Sequence, residues 1–292
     1  MKITEVLAQK ELTISFEVFP PKKETSYENV VAATEKIAEL SPSFMSVTYG
    51  AGGGTSNYTI NIAKNIQDKF RVPMIAHLTC ISSTRQTVAD QIEKIHSAGI
   101  ENIMALRGDI PADMAGQDRS GWDYQHAIQL VRQIKESGYD FCIGGACYPE
   151  VHPESSCSAE DIRHLKEKTD AGVDFLTTQM VFDNDLFFHF VYQLREAGIF
   201  VPVIPGIMPV TTSAQIIRAI ELSNAYMPKK FKVIADRFGT DPEAMKQAGI
   251  VYAAEQIVDL YANGITHVHV YSMNKPDVAA GILSMVQGIL GK

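Results

Sequence analysis

The chain has 292 residues, 46% hydrophobic and 21% charged, which is ordinary for a folded protein and excludes a disordered one. Its formal net charge of −8 argues against non-specific binding to nucleic acid or to an anionic membrane surface, yet leaves room for an anionic ligand at a locally positive strand end or helix N-terminus. Met1-Lys2-Ile3-Thr4-Glu5 carries no signal-peptide core, and no apolar run approaches the ~20 residues of a membrane span, so a cytoplasmic protein is expected.

A unit repeats along the chain: an apolar run ending in a polar residue, then an amphipathic helix closing on Gly. The runs are 13–19, 44–49, 73–79, 102–109, 141–148, 175–182, 201–209 and 266–273. Between them the spacing predicts helices over 27–40, about 58–70, and 84–98 with Ser83 as its cap. Further helices are predicted over 122–137, from Ser158, over 185–197 and over 213–223. Ser158-Ala159-Glu160-Asp161 matches a capping box and puts carboxylates at the positive end of its helix. Gly99, Gly138, Gly172, Gly198 and Gly264 are placed as left-handed caps that turn the chain back to the sheet. Residues 228–263 exceed one crossover and read as a short helix (229–237), a Gly-Thr-Asp-Pro break and a long helix from Glu243. The longest irregular loop, 111–120, has the content of a mobile flap.

Eight β-then-α units predict one (β/α)8 TIM barrel over 1–292, with extra helices before the last strand and no second domain. Such barrels do chemistry at the C-terminal ends of their strands. Those ends here read Glu17, Thr48, His77, Arg107-Gly108-Asp109, Tyr148 and Gln179, which points to an enzyme. Glu17 lies between Phe16 and Val18-Phe19. A carboxyl so flanked is partly desolvated, which favours its protonated form, as a general acid needs near neutral pH. The plainer alternative is a Glu that pairs with a Lys or caps a helix. Arg107 can meet a phosphate or carbonyl and Asp109 can accept from paired N–H donors, or the two form a structural pair. The turn from Gly50 to Thr55 either presents N–H groups to a phosphate or is only flexible; it is neither a GxGxxG fingerprint nor a Walker loop. His267 and His269 have HxH spacing but share one strand face and read as barrel interior, and no Cys or carboxylate spacing supports a metal there. Cys80, Cys142, Cys147 and Cys157 lack CxxC spacing and read as reduced core or loop thiols. Met273 and Met285 read as core.

In order, Ser15-Phe16-Glu17-Val18-Phe19-Pro20-Pro21, Ser46-Val47-Thr48-Tyr49-Gly50, His77-Leu78-Thr79-Cys80, Leu106-Arg107-Gly108-Asp109, the run from Tyr148 to Glu154, Thr178-Gln179 and Ile204-Pro205-Gly206-Ile207 closely resemble the methylenetetrahydrofolate reductase family. The resemblance runs from about Ser15 to Lys275. It implies an FAD-containing barrel that reduces 5,10-methylenetetrahydrofolate to 5-methyltetrahydrofolate by ping-pong hydride transfer from NADH or NADPH. It casts Glu17 as the general acid and Asp109 as a catalytic residue near both flavin and pterin. Flavin contacts fall to Tyr49, Ala51, His77, Arg107, Gly108, Asp109, Tyr124, Tyr148, His152, Asp161 and Lys168. Thr48 would meet the nicotinamide, while Asp109, Gln179, Gln215 and Lys275 would bind folate. A homo-oligomer is implied, and a redox partner subunit is an alternative electron donor. A pterin-binding barrel methyltransferase is the alternative enzyme. No C-terminal regulatory domain, and so no feedback by S-adenosylmethionine, is expected. Three positions depart from the family: Val173 for a frequent Ala after the flavin-binding helix, Ala219 where some bacterial members carry a Phe against the nicotinamide cofactor, and Lys275 for a frequent Arg, which keeps charge but loses the bidentate fork.

Overall fold

In the computed structural model, which describes all residues except 10, 22–23, 50–55, 111–113, 115, 117, 224 and 292, eight parallel strands pair in chain order and the eighth closes on the first. They are β1 (Thr13–Val18), β2 (Met45–Val47), β3 (Met74–Thr79), β4 (Asn102–Leu106), β5 (Cys142–Cys147), β6 (Phe175–Val181), β7 (Val203–Ile207) and β8 (His267–Tyr271). The helices are α1 (Ile3–Leu7), α2 (Tyr27–Ala38), α3 (Ser56–Phe70), α4 (Arg85–Ser97), α5 (Ala127–Glu136) and α6 (Ser158–Asp170), then α7 (Asn184–Glu196), α8 (Ser213–Ser223), α9 (Lys229–Phe238), α10 (Pro242–Ala262) and α11 (Pro276–Val286). The predicted (β/α)8 barrel is the fold observed, with α9 and α10 as the extra helices before β8. All five predicted Gly caps have positive φ.

Two apolar layers hold the barrel. Outward strand residues such as Ile14, Phe16, Val18, Ala76 and Ile103 pack under the helices with Ile37, Ile66, Ile92, Ile134 and Leu194. A second cluster fills the lower interior: Phe44, Ile75, Met104, Cys142, Phe175 and Ile204, closed from below by Ile3, Val6 and Leu7 of α1. Helix α1 has only five residues, too few for a periodic signal, and tertiary contacts fix it. The Met1 ammonium pairs with Glu101, Lys2 pairs with Asp140, and Ile3 N–H donates to Asn102 Oδ1 at 2.8 Å. From β8, His267 Nε2 meets the Leu7 carbonyl at 2.9 Å and its Nδ1 meets Thr13 Oγ1 at 2.7 Å. His267 and His269 are therefore barrel interior, as their alternation implies.

Several local expectations are corrected. Thr84, not Ser83, caps α4, accepting from Thr87 N–H at 3.1 Å. Helix α5 starts at Ala127 rather than 122, because the Gln129 side chain takes the N–H groups of Gln125 and His126 at 2.6 and 2.9 Å. Ser158 is the first residue of α6 rather than its cap; Cys157 holds the cap position without a side-chain bond. The first-turn carboxylates tie down the preceding loop instead, Glu160 accepting from Ser156 N–H at 2.7 Å and Asp161 from His152 N–H at 2.9 Å. Strand β4 ends at Leu106, so Arg107, Gly108 and Asp109 sit on the exit loop. Met273 and Met285 are 39% and 50% exposed, Met273 on the β8 exit loop and Met285 on α11 away from its buried face of Val278, Ala279, Ile282 and Val286. Of the loop 111–120 read as a flap, residues 111–113, 115 and 117 lie outside the described residues.

Helix α10 lies against the β7 exit so closely that a Cβ on Gly249 would stand 1.9 Å from the Val210 carbonyl oxygen. Gly249→Ala is therefore expected to cost about 3 kcal/mol, the upper end of ordinary overpacking. Thermal unfolding should show a midpoint lower by roughly 2–4 °C per kcal/mol lost. An unchanged midpoint would mean that α10 is not seated on this turn.

Candidate active site

Above the apolar lower interior the inward positions turn polar, and a cavity of about 1050 Å³ opens at the C-terminal ends of the strands. It runs from Glu17, His269 and Tyr271 at the floor, past Thr48, His77 and Gln179, to the first turns of α5 and α6.

The floor is built around Glu17, which is 7% exposed. Its Oε2 lies 3.4 Å from Ser46 Oγ, 3.5 Å from His77 Nε2 and 3.7 Å from His269 Nε2. The β8 exit fixes its backbone: Ser272 donates to the Glu17 carbonyl from both its N–H and its hydroxyl. Asn274 then clamps Phe19, accepting from its N–H at 2.8 Å and donating to its carbonyl at 2.9 Å. Burial pushes the His77 pKa down against the opposing pull of Glu17, so this imidazole is neutral at ordinary pH. The carboxyl thus sits beside one hydroxyl and two imidazoles, within reach of the cavity, an arrangement suited to handing over a proton.

The wall over β4, β5 and β6 has different chemistry. Gly108 has φ +88°, and a Cβ there would fall 2.9 Å from Thr79 Cβ, so this turn lies against the β3 end. The Arg107 guanidinium pairs with Glu154 across the cavity rim. The Lys168 ammonium donates to the Ala146 carbonyl, and burial lowers its pKa while Cys147 and Asp161 oppose the shift. Burial likewise lowers the His152 pKa, with Arg107 adding to the effect. Tyr148 stacks edge-on against His152 at 4.7 Å. Burial, then Asp109, raises its phenol pKa, while a hydrogen bond with Gln179 opposes the shift. Asp109, Tyr148 and Gln179 are thereby brought together, as are Arg107, His152, Asp161 and Lys168. Two cations within one cavity, beside hydroxyl and imidazole donors, can hold a long anionic ligand.

Other expected site residues lie elsewhere. Tyr124 is fully buried, with its hydroxyl on Gln133; two residues later His126 lines the cavity, its ring 6.4 Å from that of His164. Gln215 and Lys275 do not line it. The Gln215 side chain accepts from the N–H groups of Thr211 and Thr212 at 2.7 and 3.0 Å, and Lys275 donates to Thr211 Oγ1 at 2.7 Å. Those two residues form one small network at the start of α8. Ala51 and the Gly-rich turn lie outside the described residues, and Tyr49 and Thr48 line the cavity. Ala219 is buried in a cluster with Phe182, Met208, Val210 and Phe231. Sequence reasoning missed Ser46, His126, His164 and Tyr271 as cavity or floor residues. Ser46 alone had a usable signal, its alternation with Thr48. The thiols of Cys80 and Cys147 are buried, which pushes both up to about 12, whereas Cys157 is exposed. Among the described residues no group of three or more His, Cys, Asp or Glu is placed to hold a metal, and no helix is long and apolar enough to cross a membrane.

The family model for methylenetetrahydrofolate reductase matches residues 2–287. The chain is 34% identical over 274 residues to the 5,10-methylenetetrahydrofolate reductase of Escherichia coli, covering 94% of this chain and 90% of that protein. It is 35% identical over 295 residues to methylenetetrahydrofolate reductase (NADH) 1 of Arabidopsis thaliana, covering 97% of this chain but 49% of that one. The chain thus spans about half the length of its plant relatives. Among solved structures, a Clostridium thermocellum protein that binds two copies of 5-methyl-5,6,7,8-tetrahydrofolic acid superposes with a TM-score of 0.69 at 15% identity, over 100% of this chain and 99% of that one, which shows a shared fold.

On the β5 exit, burial raises the Glu150 carboxyl from 4.5 to about 6, partly offset by the Tyr226 N–H it accepts at 3.3 Å. Between those values the folded chain binds the proton more tightly than the unfolded one, so stability falls as pH rises through that window. Urea unfolding should show Glu150→Gln gaining stability at pH 7, by up to about 2 kcal/mol less solvent screening, and losing that pH slope. Equal slopes in parent and variant would count against the burial of this carboxyl.

Proposed function

Because the chain belongs to the methylenetetrahydrofolate reductase family, we propose that it reduces 5,10-methylenetetrahydrofolate to 5-methyltetrahydrofolate, with FAD as its cofactor and NADH or NADPH as hydride source. The observation that carries this reading is Glu17, a buried carboxyl within reach of the cavity at the barrel floor. Turning a 5,10-methylene bridge into a 5-methyl group breaks the bond to N10, and that nitrogen must gain a proton. Glu17 is the carboxyl placed to supply it where the pterin end of a folate would rest. Asp109 and Gln179, on the opposite wall, offer an acceptor and an amide to a pterin edge. The folate ligand of the structurally similar Clostridium thermocellum protein supports the substrate class.

The cavity residues suit a flavin dinucleotide. The volume of about 1050 Å³ stands at the top of the ~300–1,000 Å³ usual for ligand sites. Lys168 and Arg107 supply the charge that a pyrophosphate needs, and the turn at Gly108 gives access to backbone close to the ligand. Thr48, Tyr49 and His77 border the inner end, with Tyr148, His152 and Asp161 along the wall. At the outer end His126, not Tyr124, is the aromatic available to a base. When bound, the flavin supplies the two-electron carrier between nicotinamide and folate; the protein supplies orientation and the proton.

Purified protein should carry a visible band near ~450 nm that NADH bleaches anaerobically and methylenetetrahydrofolate restores. Glu17→Gln should slow the folate step by roughly 10²–10⁴-fold while leaving the bleaching by NADH nearly intact. Loss of both steps together would sink the proposed acid role, and absence of a band after added FAD would sink the flavin reading. Lys168→Met is expected to lower FAD retention on gel filtration; full retention would remove Lys168 from the cofactor site.

A further inference from the structure

Once Glu17 has given up its proton it must regain one, and the barrel floor contains a hydrogen-bonded route for that return. Strand register creates it. Pairing of β1 with β8 sets Ser15 opposite His269, and pairing with β2 sets Glu17 opposite Ser46. Ser15 Oγ lies 3.2 Å from the Val268 carbonyl and 2.7 Å from His269 Nδ1. We assign the single hydroxyl hydrogen to the carbonyl, which can only accept, and Nδ1 as donor to the hydroxyl oxygen. In that assignment the ring hydrogen of His269 sits on Nδ1 and a bare Nε2 faces Ser46 Oγ at 3.3 Å. Ser46 Oγ is in turn 3.4 Å from Glu17 Oε2. A hydroxyl donates to one neighbour while accepting from another. Facing a carboxylate, Ser46 gives its hydrogen to Glu17; facing a protonated Glu17, it accepts from the acid and donates to Nε2.

We propose that His269 and Ser46 form a proton relay that recharges Glu17 after each turnover, an inference that rests on the folate-reducing reading above. A proton taken up from cavity water at His269 Nε2 passes to Ser46 Oγ, while the hydrogen already on Ser46 passes to Glu17 Oε2. The Nε2–H bond and the old serine O–H bond break, and new O–H bonds form on Ser46 and Glu17. One imidazolium and one carboxylate become neutral, with no redox partner involved.

The other groups facing this pair do not compete. His77 Nε2, 3.5 Å from the same oxygen, has no hydrogen-bond partner among the described residues and so stands outside the hydrogen-bonded chain. Tyr271 keeps its proton, because burial and Glu17 hold its pKa well above the ordinary value, and it donates to the Thr178 carbonyl at 2.7 Å. Phe44 stacks on His269 with ring centroids 6.0 Å apart and planes 9° apart, which fixes the ring. His269 and Ser46 are positioning residues, since they act through Glu17.

The test compares Ser46→Ala, His269→Gln and Ser46→Thr with Glu17→Gln in the flavin-loaded protein. For the first two, later turnovers should slow on the order of 10²-fold relative to each variant's own first reoxidation by methylenetetrahydrofolate, and that ratio should depend on pH. Ser46→Thr, which keeps the hydroxyl, should restore steady turnover. Glu17→Gln should show no fast first turnover. Parent-like steady turnover in Ser46→Ala, or equal loss of first and later turnovers, would overturn the relay while leaving Glu17 as the acid. Fast folate reduction by Glu17→Gln would overturn the underlying reading itself. Independently of turnover, ¹⁵N-histidine spectra of the ligand-free protein should show His269 as the Nδ1–H tautomer, and an Nε2–H tautomer would overturn the relay.

Discussion

Everything at the mouth of the barrel depends on how one carboxyl group is held inside it. A buried carboxyl needs either a full ion pair or a set of neutral hydrogen-bonding partners, because leaving its charge in a low-dielectric interior is costly. Glu17 lacks the first: Ser46 hydrogen-bonds it at 3.4 Å, and two imidazoles stand close by. Ser46, His77 and His269 approach one oxygen from three different strands, and none of them is an Arg or Lys. A permanent cation at that distance would hold the carboxylate ionised and spoil it as a donor. A hydroxyl such as that of Ser46 can donate to a carboxylate or accept from a carboxylic acid.

That arrangement exists only because the barrel closes in one register. A slip of one residue between β1 and β8 would turn Ser15 and Glu17 outward, where Ile14 and Phe16 now pack under the helices. The lower interior guards the register. Helix α1 plugs the barrel with Ile3, Val6 and Leu7, and His267 ties that plug to β8 on one side and to Thr13 on the other. Ser272 and Asn274 perform the same service at the upper end. The floor is thus fixed from both ends of its two strands, while the cation-bearing wall is carried by the β4 exit loop and by α6. Placing the proton donor and placing the ligand's far end are separate tasks given to separate parts of the chain.

The sequence made the barrel legible because its signals are local: an apolar run, a helical period and a capping Gly each lie within a few residues. Strand ends were legible for the same reason, and Glu17, Thr48, His77, Tyr148 and Gln179 all reach the cavity. What stayed hidden depends on distant partners or on irregular backbone. His269 could be read as interior from its alternation, but its bond to Ser15 spans 254 positions. Tyr124 was placed on the site and His126 was not, because the stretch between β4 and α5 has no periodic element to set its register. The side chain of Gln129 stops the helix at Ala127, so the residue offered to the cavity falls two positions later. Helix α1 was missed because five residues make no period.

The departure at Val173 shows how such a chain absorbs change. A larger side chain after the helix that carries Lys168 would be expected to push that helix off the cavity wall. Val173 is instead accommodated across the sheet by Gly145: a Cβ there would lie 3.2 Å from Val173 Cγ1 and 3.3 Å from Lys168 Cε. The space a side chain at 145 would take is shared by the valine and by the stem of the lysine. Lys168 thereby stays extended along β5, with its ammonium on the Ala146 carbonyl at the cavity edge. Any side chain at 145 would compete first with Val173 and then with the lysine, so the cation's position and the packing behind it form one constraint. Position 173 therefore cannot be interpreted without position 145, and the pair leaves the charged wall of the cavity where a long anionic ligand can use it.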